Sequence, residues 1–275
     1  MSPPRMTVLV VGATGSIGRL VVEEAVRRGD VVRALVRDER KARRLGPGVE
    51  MVVGDLTRPD TLAPAVDGVD AIVFTHGSDG GGKAGAEKVD YGGVRNVLAA
   101  LGTRSARIAL MTAIGVTDRE GDYNRRTEAH DWKRRGERLV RASGLPYTIV
   151  RPGWFDYNEP DEHRLELLQG DRRHAGDPSD GAVARRQLAQ VLVASLGSEA
   201  ALGKTFELVA ATGPAPHDLE AEFRGLAADP PGTLDGVRDL PNMPIDEEPR
   251  RVRDDIAEAS ARRAADAKSN AATRE

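Results

Sequence analysis

Three observations predict an α/β protein built on a doubly wound parallel sheet, a single domain with a C-terminal extension. Short aliphatic runs recur along the chain, helical patterns separate them, and a glycine loop joins the first run to the first helix. The loop is the sharpest of the three. Val8, Leu9, Val10 and Val11 end in Gly12, Gly15 and Gly18, and Leu20, Val21, Val22, Ala25 and Val26 then follow at helical spacing. Strand, glycine loop and helix bring an anion to a helix N-terminus, where unpaired N–H groups and the positive end of the macrodipole favour phosphate. Each glycine has its own expected role. Gly12 makes the tight turn, Gly15 admits a pyrophosphate close to the backbone, and Gly18 allows close helix–strand packing. Thr14, Ser16 and Ile17 complete the cradle, so nucleotide binding is the first functional expectation.

The remaining elements follow in order. Residues 31–36, 49–53, 71–74, 108–111 and 147–150 read as the second to sixth strands, with helical patterns around 40–45, 62–66, 94–101 and 132–142 between them. Right-handed crossovers then put the ligand at the carboxyl ends of the strands. Residues 183–196 predict an amphipathic helix and 204–209 a last strand. Beyond Thr212, prolines at 214, 216, 230, 231, 241, 244 and 249 break up short apolar segments. The expected division is therefore residues 1–213 as the nucleotide-binding domain, 214–248 as an irregular extension closing the substrate side, and 249–275 as a charged tail. Alternating charges and alanines in that tail offer no core face, which predicts a solvated helix or disorder.

Composition narrows the function. Hydrophobic residues make up 40% of the 275 and aromatics 4%, so the core is largely aliphatic and alanine. Charged residues reach 30% but the net charge is −3, which argues against a nucleic-acid partner held by bulk charge. The absence of cysteine excludes disulfides and thiolate chemistry, and five scattered histidines lack ligand spacing, so no metal site is expected. No apolar run approaches a membrane span and residues 1–5 lack a signal core, so a cytoplasmic protein, monomer or homodimer, acting on a small molecule is expected.

The end of the second strand bears on which dinucleotide fits. An NAD site usually places a carboxylate there for the ribose 2′-hydroxyl. Here Arg37 follows Val36, with Arg40 and Lys41 behind it, and guanidinium suits a 2′-phosphate. Asp38 is the competing signal for NAD, so the reading is NADP, with NAD possible.

Five segments carry a resemblance: Gly12-Ala13-Thr14-Gly15-Ser16-Ile17-Gly18, Ala34-Leu35-Val36-Arg37-Asp38, Val53-Gly54-Asp55-Leu56-Thr57, Val89-Asp90-Tyr91-Gly92-Gly93, and residues 142–153, which end in Arg151-Pro152-Gly153. In this order, over residues 8–209, the chain resembles the Rossmann-fold atypical short-chain dehydrogenase/reductases, in their NmrA-like and biliverdin/flavin-reductase-like branch. The resemblance implies that Asp55 accepts from the adenine amino group and that the Leu56 N–H reaches the neighbouring ring nitrogen. It also implies that Thr75, His76 and Gly77 line the ribose and pyrophosphate, and that Pro152 and Gly153 form the wall beside the nicotinamide. Trp154, Phe155 and Tyr157 follow directly as candidate walls for a flat or apolar substrate.

The catalytic pattern departs from that family. Its reductases typically carry Tyr-x-x-x-Lys on one helix face, the lysine lowering the tyrosine pKa and gripping the nicotinamide ribose. Lys133 occupies the lysine position, but four residues earlier stands Ala129, and Thr112 is the hydroxyl offered after the fifth strand to orient substrate. Three readings stay open: hydride transfer to an acceptor protonated by water; substitution by His130, or by Tyr123 or Tyr157 from a loop; or a dinucleotide sensor without catalysis. An epimerase or dehydratase is the weaker alternative because those relatives need the tyrosine. Residues 77–88 lack the Gly-Lys-Ser/Thr ending of a phosphate loop and read as a mobile flap over the cofactor.

Overall fold

The computed structural model describes residues 5–78 and 80–272, the side chains of Lys41 and of residues 263–272 excepted. Alternation along the strands produces two cores. Val8 and Val10 of β1 (Thr7–Val11) join one apolar cluster, while Leu9 and Val11 join the other on the opposite face. The chain continues through α1 (Ser16–Arg28), β2 (Val31–Val36), α2 (Glu39–Ala42), β3 (Glu50–Val53), β4 (Ala71–Phe74), α3 (Gly82–Gly85), α4 (Gly92–Leu101) and β5 (Arg107–Met111). Next come α5 (Asp122–Thr127), α6 (Ala129–Ser143), β6 (Tyr147–Pro152), β7 (Trp154–Phe155), β8 (Arg164–Leu168), β9 (Ala182–Val183), α7 (Arg185–Gly197), β10 (Lys204–Ala211), α8 (Leu219–Arg224) and α9 (Arg250–Ala272). Among the described residues, one eight-stranded sheet has the order β3-β2-β1-β4-β5-β6-β10-β8, parallel except for β8, which runs antiparallel to β10. The strand order reverses between β1 and β4, and the carboxyl ends of these strands open there as a crevice.

The doubly wound sheet is as expected, with four local corrections. Residues 62–66 are turns after a single 3-10 turn at Pro59–Thr61, because Pro59 and Pro64 interrupt the pattern that suggested a helix. The supposed flap at 77–88 is mostly helical: α3 leads into a π-helical turn, Ala86–Tyr91, whose Ala86 and Tyr91 are buried; Asp79 lies outside the described residues. The edge strand β8 had no sequence signal strong enough to mark it, since only Leu165 of its five residues is fully buried. Finally, the tail does possess a core face, because Val252 and Ile256 of α9 are buried with Trp132 and Tyr91. Asp255 on that face accepts from the Tyr91 hydroxyl at 2.8 Å and from Arg95 at 2.8 Å.

The extension is held by charge. Arg134, Arg138 and Arg141 project from one face of α6 into it, bonding Asp235, Asn242 and Asp229 and the carbonyls of Leu240, Met243 and Leu234. Residues 229–248 thus run along the outside of α6, and Asn242 also donates to the Thr117 carbonyl in the loop after β5. At the centre Arg151 of β6 is 0% exposed. It donates to Glu137 of α6 at 3.0 and 2.7 Å, to Asp239 of the extension at 2.8 and 2.7 Å, and to Glu207 of β10 at 3.3 Å. Burial works to raise the Glu137 carboxyl, but Arg151 and Arg141 outweigh it and hold it below the usual range. Removing one partner of such a set leaves buried charge uncompensated. Arg151→Ala is therefore expected to lower stability by roughly 3–5 kcal/mol in urea unfolding. A loss of less than about 1 kcal/mol, the size of a surface pair, would show that the network is not structural.

Candidate cofactor site

The glycine loop has the geometry its sequence requires. Gly12 sits at φ +89°, and a Cβ there would lie 2.8 Å from the His76 nitrogen. A Cβ on Gly18 would lie 2.1 Å from the Gly12 carbonyl oxygen, so only glycine lets α1 start this close to β1. Gly15 caps α1 without a side-chain bond, no acidic residue occupies the first turn, and Thr14, Gly15 and Ser16 are exposed. The helix N-terminus therefore faces the crevice with open N–H groups. Ile17, by contrast, is buried in the core and offers the site only its backbone.

At the end of β2, Arg37 is exposed. Asp38 caps α2, accepting from the Arg40 N–H at 2.9 Å, and pairs with the Arg40 guanidinium. The carboxylate that argued for NAD thus has a local structural role, while Arg37 is exposed at the end of β2. The Lys41 side chain lies outside the described residues. After β3, Asp55 Oδ1 accepts from the Thr57 N–H and hydroxyl, both at 2.8 Å, and these bonds hold its carboxyl below the usual range. The Leu56 carbonyl accepts from Asn96, fixing the turn that presents this pair.

The end of β4 is the most densely organised part. Thr75 donates its hydroxyl to the Val11 carbonyl at 3.0 Å, so it ties β4 to β1 instead of reaching for ribose. The His76 Nε2 lies 3.0 Å from the Val89 carbonyl, which makes it the protonated nitrogen and leaves Nδ1 buried with no partner among the described residues. Burial pushes the His76 pKa down to about 4, so the ring is neutral at pH 7. Gly93 makes room for that ring, since a Cβ there would lie 2.7 Å from Nε2. The π-helical turn that supplies Val89 also supplies Asp90, which accepts from Lys133 Nζ at 2.7 Å and from the Ser78 hydroxyl at 2.7 Å. Asp90 belongs to one of the five family-like segments, but its sequence context suggests no role; the extra residue in the turn is what aims it. Lys133 reaches this point beside Gly77, about 4.0 Å from where a Cβ would stand.

The other expected catalytic groups are distributed differently. Thr112 is buried and donates its hydroxyl to Glu137 at 2.7 Å, so it belongs to the charge network and does not orient substrate. Ala129 is 4% exposed, in one apolar cluster with Ala86, Tyr91 and Trp132. His130 lies against Gly115 and packs at a tilt against Tyr123, with ring centroids 5.1 Å apart. Its Nδ1 is buried without a partner among the described residues, and burial lowers its pKa, opposed by Asp171. Asp171, itself buried at φ +46°, accepts from the Gly115 and Thr117 N–H groups at 2.6 and 2.7 Å and fixes this loop.

Past β6, Gly153 is required by packing, because a Cβ would lie 2.4 Å from the Gly181 carbonyl oxygen, and the Pro152 carbonyl accepts from Ile114. Phe155 is half-buried, packed on the core with Arg185 over its ring. Trp154 and Tyr157 face solvent at 37% and 64% exposure, edge to face at 6.3 Å.

A glycine cradle, an exposed basic residue after β2 and a lysine at the mouth of β4 together describe a dinucleotide site. The family profile described as NAD(P)H-binding matches residues 12–199. The chain belongs to this NAD(P)H-binding family, in keeping with the atypical short-chain dehydrogenase/reductase resemblance. It is 28% identical to sanguinarine reductase of Eschscholzia californica over 265 residues, covering 81% of this chain and 96% of that one. With the uncharacterized sugar epimerase YhfK of Bacillus subtilis it shares 32% identity over 210 residues, 74% of this chain and 94% of the relative. The solved structure of a putative NAD-dependent epimerase/dehydratase from Bacillus halodurans superposes with a TM-score of 0.67 at 26% identity, covering 80% of this chain and all 100% of the other. Among the described residues no helix of this family member is long and apolar enough to cross a membrane.

Neutral His76 makes the site's integrity depend on pH. Its folded pKa of about 4 lies below the ordinary 6.5, so the unfolded chain takes up the proton first. The stabilisation is complete above pH 6.5 and is lost as pH falls toward 4, on the order of 3 kcal/mol by linkage. Melting temperatures measured from pH 8 to 4.5 are expected to fall more steeply for the wild type than for His76→Gln; parallel slopes would assign the loss elsewhere.

Proposed function

We propose that this NAD(P)H-binding protein is an NADPH-preferring reductase of small planar acceptors, quinone- or flavin-like, that carry the charge of an incoming hydride themselves. The observation that carries the reading is the burial of Ala129, with Thr112 sealed against Glu137. Neither hydroxyl of the usual acid–base pair faces the crevice, so an acceptor that delocalises the charge and takes its proton from water suits the site better than a simple carbonyl. Lys133, held by Asp90 beside Gly77, would grip the nicotinamide ribose in this reading. Trp154 and Tyr157 supply exposed aromatic faces for a flat molecule. The likeness to sanguinarine reductase supports reduction as the reaction.

NADPH is preferred because Arg37 is exposed beside the ribose position while Asp38 is committed to α2. A second reading, a redox sensor that binds NADP(H) without turnover, rests on the same missing tyrosine.

Two measurements test these points. NADPH oxidation with a quinone panel is expected to exceed that with aldehydes by about a hundredfold or more, the usual worth of a positioned acid. Lys133→Ala should lower quinone turnover through weaker NADPH binding; no turnover with any acceptor, together with tight NADP+ binding, would establish the sensor instead. Arg37→Ala is expected to weaken NADPH binding by about ten- to a hundredfold, the worth of a charge-assisted bond, and leave NADH unchanged. Equal losses for both cofactors would place the 2′-phosphate elsewhere.

A further inference from the structure

Asp171 lies where the buried charge network meets the loop that joins β5 to α5. Its carboxylate is wholly buried and accepts from the Gly115 and Thr117 N–H groups at 2.6 and 2.7 Å, which ties that loop down. On the inner side its own N–H donates to Glu207 of β10 at 3.1 Å. On the outer side His174 Nε2 stands 3.9 Å from Asp171 Oδ2 and 3.4 Å from the Thr117 hydroxyl. Glu207, Asp171 and His174 thus form a row from core to surface, their side chains 3%, 0% and 25% exposed. The loop they hold bears on the crevice, because Gly115 lies against His130, one helical turn before Lys133 on α6.

The charges around this row favour protons on its two ends. Arg151 of β6 is the cation that faces Glu207, and Glu137 of α6 and Asp239 of the extension share it. The other charged group facing His174 is Asp118 of the loop, a second carboxylate, while His130 faces Asp171 from α6 and is held neutral by burial. Burial pushes the Glu207 carboxyl up to about 7 although Arg151 opposes it, so it keeps a proton in mildly acid solution. Asp171 stays ionised, because His174, Arg151 and the two N–H groups outweigh its burial. That carboxylate in turn raises His174 above its ordinary 6.5, against partial burial. Neutral Glu207, anionic Asp171 and cationic His174 sum to zero in acid; in alkali the same three groups carry two negative charges.

We infer that Asp171, set between Glu207 and His174, is a proton-controlled latch on the loop after β5: protons on its two neighbours hold residues 115–117 against His130, and their loss releases that segment and reshapes the crevice on its α6 side. The latch acts whatever reaction the crevice performs. Release is local, since Ile114 keeps its bond to the Pro152 carbonyl and the Thr117 carbonyl keeps Asn242. Both end groups bind their protons more tightly in the closed loop, so closure is strongest in acid and weakens as pH rises through the raised values. For Glu207, held to about 7 against an ordinary 4.5, going from pH 6 to 8.5 weakens closure about tenfold, and His174 adds in the same direction. Hydrogen exchange reads this directly. With each rate divided by that of an unstructured peptide at the same pH, protection of the Gly115 and Thr117 amides is expected to fall by about tenfold or more over that range, while the β1 amides hold theirs. Glu207→Gln and His174→Gln should each flatten the fall, and the two together should abolish it. Constant protection in the wild type overturns the latch, and so does an equal loss at β1, which would belong to the whole fold. His174 is partly exposed and outside the Arg151 set, so His174→Gln decides even if Glu207→Gln fails to fold: a wild-type slope in that variant overturns the latch as well.

Discussion

Arg151 is the constraint on which the rest of the structure depends. One guanidinium at the carboxyl end of β6 is shared by Glu137 of α6, Glu207 of β10 and Asp239 of the extension, all buried. Replacing such a set by apolar side chains is often neutral in stability, but arranging it any other way leaves buried charge unpaired, so it selects one arrangement. Through Glu137 it fixes the rotation of α6, and so the direction in which Lys133 leaves that helix. Through Glu207, which accepts from the Asp171 N–H at 3.1 Å, it reaches the carboxylate that pins Gly115 and Thr117 beside His130. Burial pushes Glu207 up to about 7 in spite of Arg151, a measure of how little solvent reaches the centre of this network.

The crevice contrasts with that interior. Its cofactor side is built from backbone: open N–H groups at α1, glycines that admit close approach, and a β4 end tied down by Thr75. The two histidines near it, His76 and His130, are held neutral by burial, and Ala129 is packed in an apolar cluster. α6 carries Lys133 toward the end of β4 and Ala129 into the apolar cluster.

Much of this was legible in the sequence, and the division follows a physical line. Val8 to Val11, Ala71 to Phe74 and the glycines between strand and helix encode local periodicity and sterics, which a sequence displays directly. The same holds for Lys133 and Arg37, whose positions are set by spacing from those elements. The features that escaped depend on partners distant in sequence. Thr112 looked like a free hydroxyl until Glu137, 25 residues away, accepted from it. The tail looked coreless because Val252 and Ile256 find their cover on α6, a helix whose own charged sequence conceals how deeply it is buried. Arg134, Arg138 and Arg141 would ordinarily mark a solvated face; only the carboxylates and carbonyls of residues 229–248 explain why they are inside.

The π-helical turn at Ala86–Tyr91 carries one residue more than regular winding would need, and that surplus sets the phase of two partners at once: Val89 toward His76 and Asp90 toward Lys133. Deleting one residue there would let the turn relax into ordinary α-helix, taking Val89 and Asp90 out of their present positions. Histidine and lysine would then lose their anchors together, although neither had been altered. The extra residue behaves as a phase adjuster, and length variation in this segment is a more economical route to retuning the crevice than substitution of any side chain within it.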